Sequence, residues 1–162
     1  MFDITDKQIE DLDDTSLREL IARLCEAELS SAGLSPLLAT WGGNQTAKDG
    51  GVDVRVSLPQ VAALPTNLPR HNCVFQVKAA DMPAAEILSE MQPGGVLRNS
   101  IIELAAVSGA YFIVSSQGSV SDTPLKSRRE AMAKAVEPLG PEHTLHLDFY
   151  DRTRIAGWVR HR

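Results

Sequence analysis

The stretch GAYFIVS, residues 109–115, restricts the fold more than any other part of the chain. It holds no charged residue and no alternation of polar with apolar positions. Its shortness and its aromatic and β-branched content mark a strand buried on both faces. Such a strand needs a layer packed against each side, which calls for helices above and below a sheet.

The rest of the chain supplies those helices and further strands. Asp13-Asp14-Thr15-Ser16 offers helix N-cap chemistry, with Glu19 three residues after Ser16 as in a capping box. Leu17, Leu20, Ile21, Leu24 and Cys25 follow at amphipathic spacing, and Ser30-Ser31-Ala32-Gly33 closes the segment. Residues 36–41 suggest a short strand before the polar loop GGNQTAKDGG. Val52, Val54 and Val56 alternate with Asp53 and Arg55, and residues 72–79 form the next strand. Helical text over 84–91 and 96–107 is interrupted at Pro93-Gly94-Gly95. Residues 125–137 read as a helix ended by Pro138, residues 144–149 as a strand, and Asp151 as the cap of a helix over 152–162. This order predicts an α/β fold with a mixed sheet.

With 162 residues and 43% hydrophobic content, the chain can bury one core and is short for two, so one domain over 1–162 is expected. Lys plus Arg number 16 against 21 Asp plus Glu, a net charge of -5. That balance argues against a stand-alone, non-specific nucleic-acid binder and leaves room for a locally positive site. No run of ~18 apolar residues marks a membrane span, and the acidic first twenty residues lack a signal peptide's apolar core. A cytoplasmic setting is expected. Cys25 and Cys73 show no metal-ligand spacing and are read as buried small hydrophobes. The last helix runs to Arg162 without a C-cap, which leaves open a chain cut from a longer one.

Three polar residues interrupt strands that otherwise look like core. Alternation turns Asp53 opposite to Val52 and Val54, and puts Gln76 and Lys78 on one face, with Phe75 and Val77 on the other. If the two strands are neighbours, Asp53, Gln76 and Lys78 converge. Oxygen donors beside a lysine suit a hard divalent cation such as Mg²⁺ and the activation of water for hydrolysis. Singly, each has an ordinary reading: Asp53 as a strand-end acid paired with Arg55 or Lys48, Lys78 as a surface lysine on an edge strand.

The segments KDGGVDVRV and FQVK resemble the PD-(D/E)XK restriction-endonuclease-like nucleases, in the Mrr-like branch where glutamine replaces the second acidic residue. The resemblance covers about residues 15–150. It implies a restriction-endonuclease-like three-layer α/β fold with a central mixed sheet flanked by helices. It also implies a metal-dependent endonuclease that hydrolyses DNA phosphodiester bonds in restriction or antiphage defence. In that family pattern Asp53 binds Mg²⁺, with Gln76 and the Val77 backbone carbonyl completing the shell, and Lys78 positions or deprotonates the attacking water. A neutral Gln76 leaves the site one negative charge short, which makes Mn²⁺ a plausible substitute.

The family often adds a glutamate from the first helix, for which Glu19, Glu26 and Glu28 are available. Stepping from Leu17 through Ile21 and Leu24 reaches Glu28 on the sheet-facing stripe, whereas Glu26 falls about 160° away; Glu28 is therefore the expected carboxylate. The resemblance further implies double-stranded DNA as partner and a homo-oligomer for double-strand breaks. It places the chain as the N-terminal effector domain of a larger bacterial defence protein carrying NTPase or sensor domains. The alternative is a catalytically silent member of the fold, serving as a DNA-binding or assembly module.

Weaker signals complete the inventory. Asp49 is an accessory ligand or an Asx turn. The loop Trp41-Gly42-Gly43-Asn44-Gln45 is a base-edge contact or a turn under a packed tryptophan. Arg98, Lys126, Arg128 and Arg129 are phosphate contacts or a solvated helix face. His71, His143, His146 and His161 show no ligand spacing.

Overall fold

In the computed structural model, which describes residues 4–42, 52–118 and 121–162, the uncharged run becomes strand β4 (Ala110–Ser115), buried at every residue. Strand order in the sheet follows chain order. β1 (Ala39–Trp41) pairs antiparallel with β2 (Val54–Ser57), and β2 antiparallel with β3 (Asn72–Lys78). β3, β4 and β5 (His146–Tyr150) run parallel.

Parallel neighbours need crossovers, and two right-handed crossovers stepping the same way across a sheet fall on the same face. Accordingly α3 (Ala84–Met91) and α4 (Asn99–Ala106) link β3 to β4, and α5 (Asp122–Ala135) links β4 to β5. Their apolar sides meet Val74, Tyr111, Ile113 and Phe149 in one core. The opposite face is covered by α1 (Asp6–Glu10), α2 (Asp14–Ser31) and α6 (Arg152–Arg160), over Val54, Phe75 and Phe112. The result is the expected α/β arrangement of a five-stranded mixed sheet between helices.

Several local details differ from the sequence reading, each for a physical reason. The cap of α2 is Asp13, which accepts from the Ser16 N–H at 2.7 Å, so Ser16 lies inside the helix and does not open a box with Glu19. A capping box does occur earlier, between Thr5 and Gln8, and starts α1. Residues 36–38 form a 3-10 turn because Ser35 Oγ accepts from the Leu37 N–H, leaving only residues 39–41 as strand. Gly94 and Gly95 take positive φ, of 67° and 84°, and delay α4 to Asn99. Pro124 sits in the first turn of α5, where its missing N–H leaves no bond unmade, so that helix starts before the proline. Asp151 caps α6 through the Arg154 N–H at 2.9 Å.

Cys25 and Cys73 are free and buried, and burial pushes both thiols up, Cys73 to about 11. Among the described residues no helix is long and apolar enough to cross a membrane.

Candidate functional site

β2 is antiparallel to β3, so the beginning of β2 meets the end of β3. Val54 pairs with Phe75, yet the Asp53 N–H also donates to the Phe75 carbonyl, at 3.0 Å. Two successive residues thus oppose one, the two-against-one arrangement of a β-bulge. A bulge breaks the alternation of side chains. Val54 belongs to the core under α2, Val52 to the core under α3 and α5, and Asp53 turns toward α2.

There the Asp53 carboxylate is held from two sides. Oδ2 accepts from the Val77 N–H at 2.7 Å, and Oδ1 accepts from Arg18 Nε at 3.2 Å. Arg18 comes from the first turns of α2, and its side chain is 4% exposed against 20% for Asp53. One residue pair further along β3, the Ala79 N–H donates to Asp14 Oδ1 at 2.6 Å. Val77 and Ala79 have the same parity, so the two carboxylates sit roughly 7 Å apart along β3. Each replaces a partner strand where β2 no longer reaches. The Val77 carbonyl lies on this same edge of the strand.

Gln76 goes the other way. Its carboxamide is buried on the α3 face, where Oε1 accepts from the Tyr111 hydroxyl at 2.9 Å and Nε2 donates to Glu90. Glu90 is in turn bound by Arg98, through Arg98 Nη2 at 3.2 Å. Burial raises the Tyr111 hydroxyl far above its usual range, so it stays a donor. Lys78 follows Gln76 by alternation and is half-buried at the end of β3, beside Ser115 of β4. Asp53 and Gln76 are therefore neighbours in register on opposite faces, and the convergence expected of their side chains is not what the bulge produces.

Glu28 does lie on the inward stripe of α2 and is 1% exposed. It stands ten residues beyond Arg18, roughly 15 Å along the helix, and belongs to a different cluster. Its carboxylate accepts from the Trp158 indole at 2.9 Å and from Asn67, and pairs with Arg162 at 3.1 Å. Glu26 is outward-facing and pairs with Arg23. The helix carboxylate that reaches the end of β3 is Asp14, whose signal in the sequence, an acid at the start of α2, is indistinguishable from capping chemistry.

The basic residues proposed for phosphate contact are all matched by acids. Arg98 meets Glu90, Lys126 meets Glu130 at 3.9 Å, Arg128 meets Asp81 at 2.7 Å, and Arg129 meets Asp148 at 2.9 Å. Arg128 is buried, with its guanidinium 5.6 Å from the Phe149 ring centre. Asp49, Lys48 and loop residues 43–45 lie outside the described residues. A separate cleft of about 440 Å³ opens beside β5, lined by Phe149, Tyr150, Trp158, Arg129 and Arg154 among others, and shares no residue with the Asp53 cluster.

Asp53, the Val77 carbonyl and Asp14 make an all-oxygen donor set. Mg²⁺ is commonly held by one or two carboxylates, with waters and substrate phosphate filling its octahedron. A carboxylate offers about four lone-pair directions, of which the Val77 N–H and Arg18 Nε use two on Asp53. The donor chemistry fits, although among the described residues no group of three His, Cys, Asp or Glu side chains gathers at one point. Comparison with protein-family models, curated proteins and solved structures returns no match.

Proposed function

We propose that the chain is a metal-dependent endonuclease that hydrolyses DNA phosphodiester bonds, with its centre at the carboxyl end of β3. The observation that carries this reading is the placement of Asp53: a bulge sets its carboxylate against the Val77 backbone, next in chain to Lys78. In this reading Asp53 and the Val77 carbonyl hold Mg²⁺ or Mn²⁺, and Asp14 supports it through water. The cation, when bound, polarises a phosphate oxygen and lowers the pKa of water. Lys78 leaves β3 on the face opposite to Asp53 and has no carboxylate partner among the described residues. In this reading its long stem brings the ammonium round the end of the strand, where it orients the attacking water and offsets charge that grows on the phosphate. Gln76 acts at one remove, since its amide ties Glu90 and Tyr111 together on the face from which Lys78 leaves the strand. Glu28 takes no part.

The same geometry favours one other reading. Asp53 already has a guanidinium partner, and the carboxamide of Gln76 is engaged at both its oxygen and its nitrogen, as in a catalytically silent domain kept for DNA binding or assembly. Cleavage of supercoiled plasmid separates the two. With Mg²⁺ or Mn²⁺ the wild type is expected to nick or linearise the plasmid, and EDTA to stop it. Asp53→Asn, which keeps the shape that caps Val77, and Lys78→Ala should each lower the rate by roughly 10²–10³-fold. Absent activity in all three, with folding intact, favours the silent module.

A further inference from the structure

α2 carries two inward-facing charges, Arg18 near its start and Glu28 near its end. Glu28 is matched within its own cluster by Arg162. Arg18 instead brings a permanent positive charge against the carboxylate best placed to hold a cation, and does so with 3% of its surface exposed. On the α2 face at this end of β3, Arg18 stands against Asp53, and the Asp14 carboxylate next along the strand is bound to the Ala79 N–H. Asp53, offset in this way, has no surplus negative charge with which to draw a divalent ion out of water. A phosphodiester supplies one, and a bound divalent ion in turn favours the phosphodiester.

We infer that Arg18 is a built-in counter-charge that makes uptake of the divalent cation and of a DNA phosphodiester mutually dependent. This inference rests on the metal-site reading of Asp53. Arg18 is a positioning residue in it, acting through Asp53 and not on the reacting atoms. By linkage, each ligand raises the affinity of the other by the same factor, about tenfold or more. An exposed cation-binding carboxylate would load in the absence of DNA; one neutralised by a buried guanidinium waits for the substrate's own charge.

Mn²⁺ binding to the full chain, followed by the spin-resonance signal of the free ion, tests this without relying on turnover. The wild type is expected to bind Mn²⁺ weakly and about tenfold tighter with a short DNA duplex, after allowance for what the duplex alone takes up. Arg18→Gln should bind Mn²⁺ about tenfold tighter without DNA and gain little from the duplex. Arg18→Lys, which keeps the charge, should behave as wild type, and Arg18→Gln with Asp53→Asn should lose the gain. Wild-type affinity in a folded Arg18→Gln, while Asp53→Asn weakens binding, overturns the counter-charge and leaves the metal site standing. No Mn²⁺ binding by any form, with or without duplex, removes the metal site itself. Should Arg18→Gln fail to fold, equal Mn²⁺ affinity of the wild type with and without duplex is the overturning result.

Discussion

Gln76 lies between a phenol and a carboxylate, and both bonds matter because the residue is 6% exposed. Tyr111→Phe removes the donor to Oε1 and leaves a buried acceptor without it, at a cost of about 1–3 kcal/mol. A urea titration should show a lower midpoint with an unchanged slope; an unmoved midpoint would mean that the phenol does not hold the carboxamide. At this scale the sequence was informative about residue type and less so about direction. Three polar residues in apolar strands were visible as unusual, and the inward turn of Glu28 followed from helical angle alone. Its partners did not, since Trp158 and Arg162 are more than a hundred residues away along the chain. Nor did the role of Asp14, because an acid at a helix start is already explained by the macrodipole.

The elements were more legible than their ends. Sequence patterns marked every strand and each helix from α2 onward, β4 by an unbroken apolar run and α6 by its Asp151 cap; α1, held by a box between Thr5 and Gln8, is too short to show a period. The bulge at Asp53 is the main case where pattern misled, since alternation assumes one residue per rung and a bulge inserts a second. Close approach between elements adds a constraint that no pattern reveals. Where β4 begins under α4, a Cβ built on Gly109 would meet the Leu104 side chain and would lie 2.7 Å from the Asn72 carbonyl. Because that carbonyl is backbone at the start of β3, it cannot swing aside. Gly109→Ala is expected to destabilise by about 1–3 kcal/mol, read as a drop in Tm, whereas alanine at Gly157, where nothing stands within 4 Å, should be tolerated.

For the molecule as a whole, an α/β sheet with two covered faces was readable from β4 and the spacing of helices around it. The crossovers that bring α3, α4 and α5 onto one face follow from chain handedness. Stability should respond to pH through His146, which packs 5.8 Å from Phe112 at the start of β5. Burial, aided by Arg70 and opposed by Asp148, lowers its pKa from the usual 6.5. The fold therefore disfavours the imidazolium, the unfolded chain takes up the proton first, and stability falls as pH drops below about 6.5. Comparing urea midpoints at about pH 7.5 and about pH 5.5, His146→Gln should lose less than the wild type; an equal loss would assign the decline to the carboxylates.

The Glu28 cluster has an optical consequence. Of the two indoles, Trp41 lies on the short edge strand beneath Arg23, while Trp158 is 7% exposed with its N–H on a buried carboxylate and its ring beside Phe75 and Tyr150. A chromophore locked in an asymmetric, charged and apolar setting gives near-ultraviolet dichroism that a freely rotating one does not. The protein thus carries its own gauge of whether α6 is seated, legible in a spectrum without any label.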